Sequence, residues 1–300
     1  MKRTIITTSL CLLSIFYCNT GAFAESLETI FVSILPQKYF MQQICKDSVN
    51  IEVMVAPGAS PHTYEPKPSQ MKKLAASRAY FAIGMPFEIT WLDKFIGVNP
   101  KLKIVNTDTG IEKIAMVDHH DENNHQETSS HPGEGNQHDG LDPHIWLSPV
   151  LVKKQAVIMK GALIELFPDK AAFLQENLAA FTKEIDTLDA DLRALLKGKE
   201  GLRFMVFHPS WGYFAKDYGL EQVAVEIEGK EPKPNQMRKL IEQSRAQDIH
   251  VIFAQPQFST KSAKLLAGEI SGEVVLIDPL AENWLSNMRQ VAEKLRVTVK

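Results

Sequence analysis

The chain has 300 residues, a formal net charge of −3 and 44% hydrophobic residues. This length is sufficient for one large domain or two lobes. Because nucleic-acid-binding domains usually carry a basic surface, the mildly acidic balance argues against nucleic acid as the partner.

Residues 1–24 have the pattern of a cleaved signal peptide. A basic pair at the second and third positions precedes an apolar run and a small-x-small cleavage site at 22–24. The apolar run is too short to span a membrane. Cys18 follows the bulky Tyr17, which does not suit lipoprotein processing, so we expect release into the periplasm.

The first half of the mature chain alternates short β-like runs with helical segments. Strands are predicted at 29–33, 51–55, 80–83 and 102–105, and helices at 37–44 and 70–76. Alternation of this kind is typical of βαβ units and a mainly parallel sheet. We expect an N-terminal lobe over residues 25–167.

Residues 117–141 interrupt this alternation with a polar, histidine-rich stretch that cannot build a core. We predict a long flexible loop, and loops of this length inside a compact domain tend to be functional. A solvated linker is one interpretation. The one we favour is a weak secondary metal-binding set formed with neighbouring acidic residues by His119, His120, His125, His131 and His138.

An apolar stripe then predicts one long connecting helix within residues 168–199. Its members are spaced alternately by four and three: Leu174, Leu178, Phe181, Ile185, Leu188, Leu192 and Leu195. The stripe could be a coiled-coil seam between two chains. Packing against the protein's own lobes is the interpretation we prefer, and we expect a monomer.

Alternation returns in residues 200–300, the expected C-terminal lobe. Strands are predicted at 203–207, 223–227, 251–253 and 274–277, and helices at 236–247, 261–269 and 282–295. The whole pattern predicts an α/β protein whose two lobes, with mainly parallel sheets, are joined by one long rigid helix.

A ten-residue segment occurs twice. Residues 65–74 and 231–240 are identical at eight of ten positions. Ser69 and Asn235 are suitable N-caps for the helices that follow. Convergence on a favourable helix start would explain the match, but we prefer two similar lobes that present the same loop.

Four side chains lie where predicted strands meet loops: His62, His144, His208 and Asp278. In open α/β folds, ligand groups gather at the carboxyl ends of strands, so these four could converge in one cleft. Imidazole-rich sets suit Zn²⁺, whereas Ca²⁺ and Mg²⁺ prefer oxygen. Four protein ligands leave no open position for an activated water, which favours binding over hydrolysis.

The sequence gives little support for an enzymatic function. The sequence lacks H-E-x-x-H, G-x-S-x-G, G-x-G-x-x-G after a strand, and G-x-x-x-x-G-K-[ST]. A secreted zinc hydrolase is the alternative from another class, and it would need an open metal position and a general base. A metal-binding adhesin would need a surface anchor.

The chain resembles the ZnuA-like solute-binding proteins of ABC transporters for zinc and manganese. The resemblance rests on residues 57–69, 142–149, 207–220 and 276–280. It implies two α/β lobes joined by a long helix, with the transported metal held between them by His62, His144, His208 and Asp278. It also implies a membrane permease as the partner.

The same resemblance favours Zn²⁺ as the transported ligand. Manganese-type members usually place Glu at the third ligand position, where this chain has His208. Some zinc-type members carry Glu near the first ligand, but Ser60 and Pro61 stand there, so Asp278 becomes the expected fourth ligand. A manganese or iron receptor is the alternative within this class. Glu65 and Glu231 in the repeated segments are hypothetical permease contacts.

Overall fold

The structure is a computed structural model that describes residues 27–116, 140–226 and 230–298. Within these ranges, the chain forms eight β-strands: β1 Thr29–Val32, β2 Asn50–Val53, β3 Ala79–Ala82, β4 Lys103–Asn106, β5 Arg203–Val206, β6 Glu221–Ala224, β7 Val251–Ala254 and β8 Glu273–Leu276.

The same ranges contain nine α-helices: α1 Leu35–Cys45, α2 Pro68–Leu74, α3 Pro86–Val98, α4 Pro149–Leu166, α5 Ala171–Leu196, α6 Gly212–Tyr218, α7 Pro234–Ala246, α8 Lys261–Glu269 and α9 Trp284–Thr298. The described part of the chain contains no helix that is both long and apolar enough to cross a membrane.

The strands form two parallel four-stranded sheets with the same topology. Their orders are β2-β1-β3-β4 and β6-β5-β7-β8. Parallel neighbours need crossover connections, and helices provide them in both sheets. The predicted α/β architecture of two lobes with mainly parallel sheets is therefore confirmed. The boundaries drawn between the lobes at 167 and 199 stay a prediction.

The repeated segment occupies the same place in each lobe. It follows the edge strand (β2 or β6) and opens the helix that leads to the third strand in chain order, β3 or β7. In both copies the N-cap is a lysine, Lys67 or Lys233, because a proline takes the first helical position. The prediction that Ser69 and Asn235 are N-caps is therefore wrong.

A glutamine stabilises each of these helix starts. Gln70 Oε1 accepts the backbone N–H of Lys67 at 2.9 Å, and Gln236 Oε1 accepts that of Lys233 at 2.8 Å. Each bond satisfies one backbone donor near the helix start. The repeat thus encodes one local structure twice.

Helix α5 joins the two lobes, as predicted. Its 26 residues extend about 39 Å at about 1.5 Å per residue. Its apolar face packs against α1, α4 and α9 of the same chain. The buried stripe ends at Leu196, not at the predicted Leu195. A strict seven-residue spacing drifts around a helix of 3.6 residues per turn, so the buried face moves to the next position.

Three helices were not anticipated from the sequence: α3, α4 and α6. The signal for α4 was present, because Ser148 precedes Pro149 and its hydroxyl accepts the backbone N–H of Leu151 at 3.2 Å. Serine at the N-cap with proline at the first helical position is a common helix start.

The predicted signal peptide and the five loop histidines lie outside the described residues. The structure does describe where the histidine-rich segment leaves the lobe. Ala115 and Leu141 form an antiparallel bridge, and the backbone N–H of Asp142 donates to the carbonyl of Ile114 at 2.8 Å. The described residues Ala115 and Leu141 therefore lie side by side, and Leu141 is close to His144 in the chain.

Packing along α5 predicts unequal costs for two leucine truncations. Leu188 is fully buried, whereas Leu195 on the same helix is partly exposed. Leu188→Ala should lower the free energy of unfolding by about 2–5 kcal/mol because it leaves a cavity. Leu195→Ala, the matched control, should cost clearly less. Urea unfolding measures both, and equal losses would contradict this helix register.

Candidate metal centre

Three predicted ligands come together between the lobes. His62 lies in the loop that follows β2, and His144 immediately precedes a single 3₁₀ turn, Ile145–Leu147. His208 follows β5 in the other sheet. Among the described residues, these three form a group whose ligand atoms all lie within 4.8 Å of one another. His144 and His208 are buried and His62 is half-buried.

The Nε2 atoms have the spacing of a metal coordination sphere. The separation is 3.0 Å between His62 and His208, and 3.3 Å from His144 to each of the other two. A tetrahedral ion with Zn–N bonds of about 2.0–2.1 Å separates its ligand atoms by about 3.3–3.4 Å. The three nitrogens thus outline one face of a small tetrahedron.

Two buried carboxylates orient two of these imidazoles. Asp142 Oδ1 lies 2.6 Å from His144 Nδ1, and Glu226 Oε1 lies 2.7 Å from His208 Nδ1. With each Nδ1–H donated to a carboxylate, both Nε2 lone pairs point to the shared centre. This carboxylate–histidine pairing fixes the ring orientation and raises ligand basicity in metal sites.

The backbone around two of the ligands is also held. The backbone N–H of His144 donates to Asp142 Oδ1 at 2.8 Å. Gln255, which directly follows the neighbouring strand β7, holds the backbone of His208: its side chain accepts the backbone N–H at 3.2 Å and donates to the carbonyl at 2.6 Å. Both ligands are therefore pre-positioned by their surroundings.

Burial keeps the imidazoles in the form that binds a cation. Desolvation lowers the pKa of His62 and of His144 well below the ordinary histidine value, and neighbouring imidazoles add to the effect. Both are therefore neutral at neutral pH. Desolvation raises the pKa of Asp142 to about 7, opposed by the backbone N–H of His144. A divalent cation on His144 would favour the ionised carboxylate.

The charges of the centre suit a divalent cation. With a divalent cation bound, the carboxylates of Asp142 and Glu226 would supply two negative charges behind His144 and His208. A doubly charged ion at the imidazoles would be balanced without a carboxylate in its first coordination shell. Buried charge is costly unless paired in this way.

The space at the centre is small. The cavity that the three histidines line has a volume of about 10 Å³. Phe258 stacks on the His208 ring at 4.8 Å between centroids, and Trp146 packs 5.2 Å from the His144 ring. A site of this size admits a single small ion or a water molecule and excludes organic ligands.

Asp278, the predicted fourth ligand, lies outside this group of three. It follows β8 at the carboxyl end of the sheet, as expected. Its Oδ1, however, accepts hydrogen bonds from Gln257 Nε2 at 2.7 Å and from the Leu280 backbone N–H at 2.9 Å. The role of Asp278 as a ligand stays a prediction.

Three polar residues at or beside this centre were not predicted from the sequence: Asp142, Glu226 and Gln257. A usable signal existed for Asp142, which stands two residues before His144. Glu226 was assigned to the interior of the predicted strand 223–227, whereas β6 ends at Ala224 and places Glu226 just past its carboxyl end. The predicted strand ended three residues too late, and this concealed a polar residue at the carboxyl edge of the sheet.

The carboxylate of Glu226 should strengthen metal binding through its charge. Glu226→Gln keeps a hydrogen-bond acceptor for His208 but removes the negative charge, so zinc affinity should fall about 10–100-fold. Glu221→Gln at the start of the same strand is the matched control, because Glu221 is exposed and pairs with Arg203. Titration against a chromophoric chelator measures both affinities. Equal affinities in the two variants would contradict the assignment.

Known proteins similar in sequence to this chain are named for zinc. A zinc-binding lipoprotein, AdcA, of Streptococcus pneumoniae is 27% identical over 99% of this chain and 61% of its own length. The chain thus spans about three fifths of that relative. The high-affinity zinc uptake system protein ZnuA of Bacillus subtilis is 25% identical over 90% of this chain and 86% of its own.

Solved structures show the same fold. A crystal structure of ZnuA superposes with a TM-score of 0.82 at 39% identity and covers 91% of this chain and 99% of its own. A zinc-bound ZnuA deletion mutant gives 0.80 at 40% identity, with 91% and 98% covered. Residues 30–297 match the family described as zinc-uptake complex component A, periplasmic. The chain belongs to this zinc-uptake family of solute-binding proteins.

Proposed function

We propose that the protein captures Zn²⁺ outside the cytoplasm and delivers it to the permease of an ABC transporter. The observation that carries this proposal is the three-imidazole centre, with Nε2 separations of 3.0–3.3 Å, built from both halves of the chain. Zn²⁺ is the transported ligand, not a resident cofactor. His62, His144 and His208 hold it.

The site supports binding more than catalysis. Its cavity of about 10 Å³ has no room for an organic substrate beside an ion. The buried carboxylates Asp142 and Glu226 each face a histidine Nδ1, where they orient ligands and are not placed to act as a general base on a metal-bound water. We therefore propose that the protein is not an enzyme.

The donor set favours zinc over manganese or iron. Three imidazole ligands suit Zn²⁺, whereas Mn²⁺ prefers carboxylate and other oxygen ligands. The manganese or iron receptor remains the second candidate, because Asp278 lies near enough to the centre to line an adjoining cavity.

Localisation follows from the sequence. Residues 1–24 have the pattern of a cleaved signal peptide, and we propose release into the periplasm as a monomer without a nucleic-acid partner. The relative in Streptococcus pneumoniae is named a zinc-binding lipoprotein.

Metal titration tests the proposal. The chelator-stripped mature protein should bind one Zn²⁺ tightly and Mn²⁺ much more weakly in competition with a chromophoric chelator. His208→Ala should lose the tight site because it removes one of three ligands. His250→Ala is the matched control, since His250 is exposed and contacts Asp248.

The results of this titration distinguish the zinc receptor from the alternatives. Tight Mn²⁺ binding would move the assignment to the second candidate. If no tight site depends on His208, the proposed centre is wrong, and metal binding belongs to the loop histidines His119, His120, His125, His131 and His138. We propose that these five collect metal weakly near the centre.

The repeated segments offer a matched pair of docking points for the permease. Glu65 and Glu231 are both exposed and precede α2 and α7 at equivalent positions of the two lobes. Complementary charge on the two halves of a permease would fix the docking orientation. We propose these glutamates as permease contacts.

Charge reversal separates docking from metal capture. The double variant Glu65→Lys/Glu231→Lys should abolish zinc uptake in cells while the zinc affinity of the purified protein is unchanged. Glu176→Lys/Glu242→Lys, which reverses two other exposed glutamates, should transport normally. Uptake that survives the first reversal would rule out these contacts.

A further inference from the structure

The side chain of Gln257 stands between the three histidines and Asp278. Two cavities meet here: one of about 10 Å³ lined by the histidines, and one of about 110 Å³ lined by Asp278. Gln257 and Leu280 line both cavities, whereas Asp278 lines only the larger one. The carboxylate therefore lies in a cavity beside the centre, and Gln257 contributes to the walls of both cavities.

Gln257 also forms a hydrogen bond with the carboxylate of Asp278. Its Nε2 donates to Asp278 Oδ1 at 2.7 Å. Within the described residues, its Oε1 is buried without a hydrogen-bond partner. The bond to Asp278 is thus the interaction that orients this amide.

The backbone at Asp278 adds to the restraint. The Leu280 N–H donates to the same Oδ1 at 2.9 Å, and Asn287 Nδ2 donates to the Asp278 carbonyl at 2.7 Å. The main chain is thereby fixed, so the carboxylate can reach the metal only by side-chain rotation. A rotation that moves Oδ1 would break both the Gln257 bond and the Leu280 bond, and of the two donors only Gln257 is a side chain.

Resting on the proposed function, we propose that Gln257 is a specificity-determining residue that holds Asp278 out of the coordination sphere. The centre then offers three imidazoles and no protein carboxylate. Such a set serves Zn²⁺ well, whereas Mn²⁺ loses the oxygen ligand that it prefers. Releasing Asp278 would add that ligand and reduce discrimination between the two ions.

The test compares Zn²⁺ and Mn²⁺ dissociation constants of the stripped protein by chelator competition. Gln257→Met keeps the volume of the side chain but removes the donor. It should raise Mn²⁺ affinity relative to Zn²⁺ about 10-fold or more, the range typical for residues that support metal ligands. Gln257→Leu should give the same direction. Adding Asp278→Asn to Gln257→Met should abolish the gain.

The matched control is Gln290→Met, the same exchange at an exposed position of α9. It should leave both affinities unchanged. An unchanged Zn²⁺/Mn²⁺ ratio in Gln257→Met, or a gain that persists with Asp278→Asn, would overturn the inference. So would a loss of Zn²⁺ affinity without a Mn²⁺ gain, because Gln257 would then serve the metal directly.

The failure of this inference differs from the failure of the proposed function. If the unmodified protein lacks a tight Zn²⁺ site, the proposed function fails. If it binds Zn²⁺ tightly and only the response of Gln257→Met is absent, the role of Gln257 alone is wrong.

Discussion

The convergence of three imidazole Nε2 atoms on one point is the constraint on which this structure depends. It requires the carboxyl ends of two parallel sheets to face each other across a short gap. Two tryptophans connect the two sides of this gap by hydrogen bonds. Trp284 Nε1 donates to the Trp146 carbonyl at 2.8 Å, and Trp146 Nε1 donates to the Pro279 carbonyl at 2.7 Å. Helix α5 packs along both halves. Neither lobe carries all three histidines, so the centre forms only when the two lobes of the chain pack together.

The polar side chains buried at this centre have hydrogen-bond partners, which offset the free-energy cost of removing them from water. Desolvation alone would disfavour the carboxylate of Asp142, yet an imidazole N–H and a backbone N–H both face it. In the other lobe Glu226 faces the Nδ1 of His208, whereas the backbone N–H of His208 donates to Gln255. A divalent cation completes the charge balance, which ties recognition of the ion to polar groups already paired and positioned.

The two lobes share one sheet topology but contribute different numbers of histidines to the centre. The first supplies His62 and His144, and the second supplies His208 together with the Gln257–Asp278 pair. The repeated segment lies at the same place in both lobes and carries an exposed glutamate in each. A pseudo-symmetric molecule with an asymmetric centre is suited to a task in which one ion is held between the lobes and one partner contacts both of them.

The sequence by itself determined the α/β class, the long helix and the three histidines, because hydrophobic periodicity and strand ends are local properties. Sequence spacing did not predict three local details. These are the burial of Leu196 in place of Leu195, the lysine N-caps at Lys67 and Lys233, and the end of β6 before Glu226. Only the tertiary structure decided which polar side chains meet. Asp278 lies at the expected strand end, but its hydrogen bond to Gln257 comes from a loop 21 residues earlier in the chain. Such a contact arises from the packing of neighbouring strands, and no local pattern encodes it.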